Sequence, residues 1–194
     1  MLMRMTLSRR VHVPPKYYNS GMQRYIKDIL KSEVEGRYLH GIGSIVAVIG
    51  NMEISEGFLL PESESNESAV RYGGSASFKV RYSALVFVPM INEVIDVIVG
   101  TAHETGFHAT AGPMRVFVDQ SRLSGYVFDS TSTPVTWVGT GDNANRVIRE
   151  GGVCRCRIIG IELPATAGKV TPFAICRVDE PGLGPAEEEE EFVF

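Results

Sequence analysis

Between residues 93 and 119 apolar and polar side chains alternate, with Ile95, Val97 and Val99 in one run, Phe107 to Ala111 in the next, and Val116 and Val118 in a third. A period of two places successive side chains on opposite faces of a strand. The runs break at Gly106 and at Gly112-Pro113, so the pattern predicts three short strands joined by tight turns, the opening of a small barrel. On the third strand Arg115, Phe117 and Asp119 share the face opposite the valines, which points the Phe117 ring outward. An outward aromatic beside an arginine either stacks a nucleic-acid base, as in barrels that hold single strands, or packs on a neighbouring domain. The spacing admits both.

The rest of the chain reads as two β-rich halves with one helix. Residues 2–13 alternate as a strand and stop at Pro14-Pro15, after which Asn19 or Ser20 is placed to cap a helix. Met22, Tyr25, Ile26, Ile29, Leu30 and Val34 then form a single apolar stripe at helical spacing, for packing on a sheet, and Gly36 ends it. The continuous apolar run 45–49 predicts a buried strand. GNMEISEG at 50–57 predicts a turn or short loop carrying Met52 and Ile54, and PESESNES at 61–68 a flexible insertion. Strands resume near Phe78 and run through ALVFVP, with Pro89 as the hinge into the second half. From 121 to 149 the signal is poor, and the expectation is loops with one short strand around Trp137. Residues 153–161 and 170–178 supply the last two strands, completing the five that an OB barrel needs.

Composition narrows the function classes. The 194 residues, 44% hydrophobic, suffice for one or two domains with a real core. No stretch approaches the roughly 18 apolar residues of a membrane helix and the start has no signal-peptide pattern, so a soluble, intracellular protein is expected. Three cysteines argue against a disulfide framework. In CRCRIIG, Cys154 and Cys156 alternate with Arg155 and Arg157, which predicts buried thiols and outward guanidinium groups. The formal charge of −4 is uneven. Glu62, Glu64 and Glu67 lie in the serine-rich insertion and five glutamates occupy 187–191; without these the body carries 19 basic against 15 acidic residues. A mildly basic body is compatible with phosphate contact without demonstrating it, and the glutamate run reads as a solvated, disordered tail. Enzymatic motifs fail on spacing. His103-Glu104 with His108 is one residue longer than the zinc-protease pattern and contains Gly106; Gly41-Ile42-Gly43 lacks the third glycine of a dinucleotide loop; no P-loop occurs. No catalytic residue, metal or cofactor is expected.

The text VHVPPKYY, KSEVEG, GIGSIVAVIG, EISEG, VRYSALVFVPMINEVIDVIV, ETGFHATAGPMRVFV and CRCRIIG resembles the stalk subunit of DNA-directed RNA polymerase. That family includes the archaeal E-prime polypeptide and the seventh-largest subunit of RNA polymerase II, and the resemblance covers nearly the whole chain. It implies an α+β protein: an N-terminal tip domain over 1–90, an antiparallel sheet packed with one helix that docks on the polymerase, then an OB-fold RNA-binding barrel over 91–184 and an acidic disordered tail over 185–194. It also implies a nuclear, non-catalytic subunit, of RNA polymerase II foremost, that pairs with a subunit-four homologue at the seam between the halves and binds nascent single-stranded RNA. By resemblance His108 and Phe117 are the RNA-facing positions, with Arg115, Arg155, Arg157 and Lys169 available for phosphates. Met52 and Ile54 match the loop that docks on the polymerase core, their alternative being ordinary packing within the tip. Two other readings stand beside this one: the equivalent subunit of RNA polymerase III or of an archaeal polymerase, and a freestanding OB-fold RNA-binding protein of translation or decay.

Overall fold

The computed structural model describes residues 2–60, 74–164, 168 and 171–186. The chain divides into two compact units, the first running through Val88 and including 167–169, the second starting at Pro89.

The first unit is a four-stranded antiparallel sheet with one helix. Strand β1 (Leu2–Val13) pairs along its whole length with β4 (Ala76–Phe87), which pairs in turn with β3 (Gly43–Leu59), and β2 (Tyr38–Leu39) closes the order β1-β4-β3-β2. Helix α1 (Met22–Val34) buries Ile26, Leu30 and Val34 from its predicted stripe against Val11, Val80 and Val86 of the sheet core. Its start departs from expectation. Neither Asn19 nor Ser20 caps it, because the Asn19 amide oxygen accepts from the Gly21 N–H at 2.8 Å, and Gly21 itself takes the N-cap position. Beyond the other end, the Glu35 carboxylate accepts the Val48 N–H at 2.8 Å, tying the helix to an irregular part of β3.

That irregularity corrects a second expectation. Residues 50–57 are no turn: they lie inside β3, a single strand of 17 residues whose register slips between Ile45 and Ala47, Ile49 and Glu53, and Ile54 and Gly57. Gly50, with φ of 73°, lets the backbone bulge. Pairing then resumes at Glu53 opposite Arg81, because β4 offers an unbroken ladder for it to rejoin.

The second unit is a closed barrel carrying an extra sheet. Strands β5 (Val94–His103), β6 (Gly106–Ala111) and β7 (Met114–Asp119) form the predicted meander. Three short strands follow, β8 (Tyr126–Asp129), β9 (Thr136–Gly139) and β10 (Val147–Ile148), which make their own antiparallel sheet in the order β10-β9-β8. The expected loops with one strand are therefore replaced by a small folded layer around Trp137, which is 1% exposed. Strands β11 (Val153–Glu162) and β12 (Phe173–Arg177) return to the barrel; β12 pairs antiparallel with β11 and parallel with β7, closing the ring of five. This is the OB-fold connectivity the sequence predicted. Strand β13 (Gly184–Pro185) then adds to β11, and Ala186 donates its N–H to the Val153 carbonyl at 2.9 Å. Residues 185 and 186, expected in the tail, thus join the folded unit; 187–194 lie outside the described residues, as does the insertion at 61–68.

Inside the barrel, Val97, Val99, Phe107, Val116, Val118, Ile158 and Ala174 pack with Cys154, Cys156 and Cys176. Burial pushes the Cys154 thiol up to about 12, and the Cys156 thiol is raised by its hydrogen bond with Cys176 and by burial. A thiolate is the reactive form. A disulfide-exchange reagent at pH 8 is accordingly expected to find no reactive thiol in the native protein and all three once denaturant is added; release from the folded state at the unfolded rate would contradict this packing.

Candidate nucleic-acid face of the barrel

The β6–β7 hairpin sets the geometry. With Phe107, Ala109 and Ala111 buried on β6, and Met114, Val116 and Val118 buried on β7, the intervening His108, Thr110, Arg115 and Phe117 point outward. His108 lies directly opposite Phe117, their ring centroids 4.9 Å apart and tilted by 41°. His103, at the end of β5, meets His108 edge-on at 6.2 Å. On the far side of β7, the parallel register places Ile175 of β12 beside Phe117, and Ile175 is 42% exposed. An outward row thus runs His103, His108, Phe117, Ile175 across four elements of chain. Glycines border it: Gly160 of β11 pairs with Ile175, and Gly100 of β5 sits against the His108 carbonyl. Neither border carries a side chain to cover the rings.

The neighbouring row is Ile98, Thr110, Arg115 and Phe173, again one residue from each of four strands. Arg115 is exposed and has no ion-pair partner among the described residues. Ile175 and Phe173 were missed by sequence reasoning, although the signal exists: in FAICR the small buried Ala174 and Cys176 alternate with them.

The other predicted cations lie elsewhere. Arg155 and Arg157 stand on β11, which hydrogen-bonds to β5, β12 and β13 and not to β6 or β7. Arg155 is forked onto Asp96, with Nε and Nη2 donating to the two carboxylate oxygens at 2.7 and 3.0 Å. Arg157 donates to Glu180 at 2.7 Å and to the Asn92 carbonyl at 3.2 Å. The Arg155 hydrogen bond holds the Asp96 carboxyl below its ordinary range and raises Arg155 in return. A depressed carboxylate contributes its stability above the unfolded-state pKa and loses it as pH falls through the folded one, so this pair is intact at neutral pH and fails only in acid. Bound to carboxylates, both guanidinium groups have little left for phosphate. Lys169 lies outside the described residues. The structure therefore brings together His108, Phe117 and Arg115, and separates them from Arg155 and Arg157.

Met52 and Ile54 are half-buried and pack against the core of the first unit. The apolar side chains that stand clear are further along the same strand, Phe58 at 73% and Leu59 at 70% exposed.

Residues 8–64 match the family model described as the SHS2 domain found in the N terminus of Rpb7p/Rpc25p/MJ0397. Over 181 residues the chain is 32% identical to DNA-directed RNA polymerase II subunit rpb7 of Schizosaccharomyces pombe, covering 92% of this chain and 95% of that protein. It is 30% identical over 185 residues to the rpb7 subunit of Dictyostelium discoideum, covering 95% and 98%. The match to subunit Rpo7 of the DNA-directed RNA polymerase of Sulfolobus acidocaldarius is 24% identical over 180 residues, covering 91% and 88%.

Proposed function

The chain belongs to the Rpb7 family of DNA-directed RNA polymerase subunits, and from that premise we propose that it is the stalk subunit of RNA polymerase II, holding emerging RNA on its barrel. It is a member of an RNA polymerase complex and a non-catalytic one. Its first unit, running through Val88, docks on the polymerase core and presents Phe58 and Leu59, with Met52 and Ile54 earlier on β3. It pairs with a subunit-four homologue and works in the nucleus. The second unit, starting at Pro89, binds single-stranded RNA. The observation that carries the RNA reading is the outward pair of exposed His108 and half-buried Phe117 beside Arg115.

On that row a base stacks on a ring face, which every base possesses, so binding is indifferent to sequence. Arg115 adds a phosphate contact, which strengthens and orients without reading sequence. With Arg155 and Arg157 held by carboxylates, few counterions are released per strand bound. The plot of log Kobs against log salt is expected to have a slope of about −1, since single strands give roughly −0.7 per phosphate neutralised. A slope of about −4 or steeper, measured by fluorescence anisotropy with a labelled oligoribonucleotide, would mean that a larger basic surface does the binding.

The decisive experiment is RNA crosslinking within the assembled polymerase carrying His108→Ala with Phe117→Ala. Loss of stacking on both rings predicts a drop of roughly tenfold or more, at about 1–3 kcal/mol per stacked base. Unchanged crosslinking would place the RNA elsewhere. Copurification from native extract tests the rest: polymerase subunits in near-equal amounts support the stalk reading, whereas ribosomes or nucleases would favour a freestanding RNA-binding protein.

A further inference from the structure

The second unit contains a cleft of about 970 Å³, lined by the turn and strand around β10, the Gly151-Gly152 turn, the start of β11, and Pro185 and Ala186 at the end of β13. The lining includes three arginines, Arg146, Arg149 and Arg155, and one carboxylate, Asp96, which Arg155 already binds. Glu150 is exposed in the same turn. The apolar part of the lining includes Val147 and Val153, 42% and 43% exposed. A surface that combines positive charge with uncovered valines fits a peptide that is acidic in one part and aromatic in another.

The chain itself supplies such a peptide at that place. Residues 187–194 read EEEEEFVF. Pro185 lies opposite Cys154, and Ala186 bonds to Val153. A strand continued from Ala186 in the same antiparallel sense would pass Gly152 toward Arg149. Eight residues reach roughly 26–29 Å when extended, enough to follow the cleft. A segment tethered at the cleft wall also has a high effective concentration there. Arg146 and Arg149 hold other interactions as well, so what counts is the sign and position of their charge.

We propose that this cleft is a docking groove for an acidic peptide with an aromatic end, and that its occupant is the chain's own segment 187–194. The glutamates engage Arg146 and Arg149, and the two phenylalanines cover Val147 and Val153. The proposal is independent of RNA binding to the His108–Phe117 row and of assembly with polymerase.

The test compares amide NMR spectra of the full chain with a variant ending at Ala186, then adds the synthetic peptide EEEEEFVF to the shortened chain. The amides of Val147, Gly151, Gly152 and Val153 are expected to move on shortening and to return with the peptide. Changing the five glutamates to glutamine, or Phe192 and Phe194 to alanine, is expected to weaken the peptide by about tenfold, as is Arg149→Glu in the protein. The peptide variants leave the folded unit untouched, so they decide the matter even if Arg149→Glu disturbs it. The proposal is overturned if those amides do not move, if the glutamine peptide binds equally well, or if shifts fall on the basic helix face at Arg24, Lys27 and Lys31. Signals that depend on protein concentration would assign the occupant to a second copy, and would equally overturn it.

Discussion

Phe107→Ala is expected to lower the unfolding free energy of the second unit by about 3–5 kcal/mol, the usual cost of deleting a fully buried aromatic ring. Phe107 is 0% exposed and sits between Val118 on β7 and Ala102 on β5, so no solvent-facing relaxation is open to the hole it leaves. For a unit of this size the unfolding midpoint should fall by about 12 °C or more. The protein has a single tryptophan, Trp137, and it lies in the second unit, so its fluorescence follows that unit alone. The neighbouring change His108→Ala, one position along but on the outer face, should stay within about 0.5 kcal/mol. Equal losses from the two would mean that the strand's alternation has been read wrongly.

Gly139→Val is the second large effect, and it acts on the inserted sheet. A side chain at 139 would run into the carbonyl oxygens of Asn143 and Arg146, and the Gly139 N–H already donates to the latter at 2.8 Å. Backbone cannot step aside as a flexible side chain can, so a loss on the order of 3 kcal/mol is expected. Displacement of the 141–146 turn would carry Arg146 and Val147 out of position and loosen the packing around Trp137. The readouts are a red shift of tryptophan emission and loss of binding by the EEEEEFVF peptide, with the barrel's amide protection retained. A variant with native emission and stability would show that the turn yields more easily than its hydrogen bonds imply.

The contrast between these two sites shows what the sequence could disclose. The barrel was legible because strands of 6–10 residues give alternation room to repeat, and because glycines at 106 and 112 punctuate it. The β8–β10 sheet was not, since strands of 2–4 residues hold at most two buried positions each, and pairing across the turn at 141–146 leaves no local trace. Residues 50–57 misled for a different reason. Gly50 with polar neighbours has turn chemistry, but the unbroken ladder of β4 recaptured the chain at Glu53 and made a bulge of it. In the candidate face, the outward direction of Phe117 and Arg115 came from alternation, whereas the significance of His108 came from family resemblance. That Arg155 and Arg157 are neutralised could not be read, because Asp96 and Glu180 lie 59 and 23 residues away along the chain.

The closing strand of the barrel has a consequence for synthesis. Because β12 is the only element among the described residues that bonds to both β7 and β11, a ribosome must deliver Arg177 before either edge is shielded. Until then two rows of bare amides face the cytosol, competent to pair with any other nascent copy. A stop codon anywhere in the barrel upstream of position 177 should therefore yield inclusion bodies rather than a shortened soluble protein.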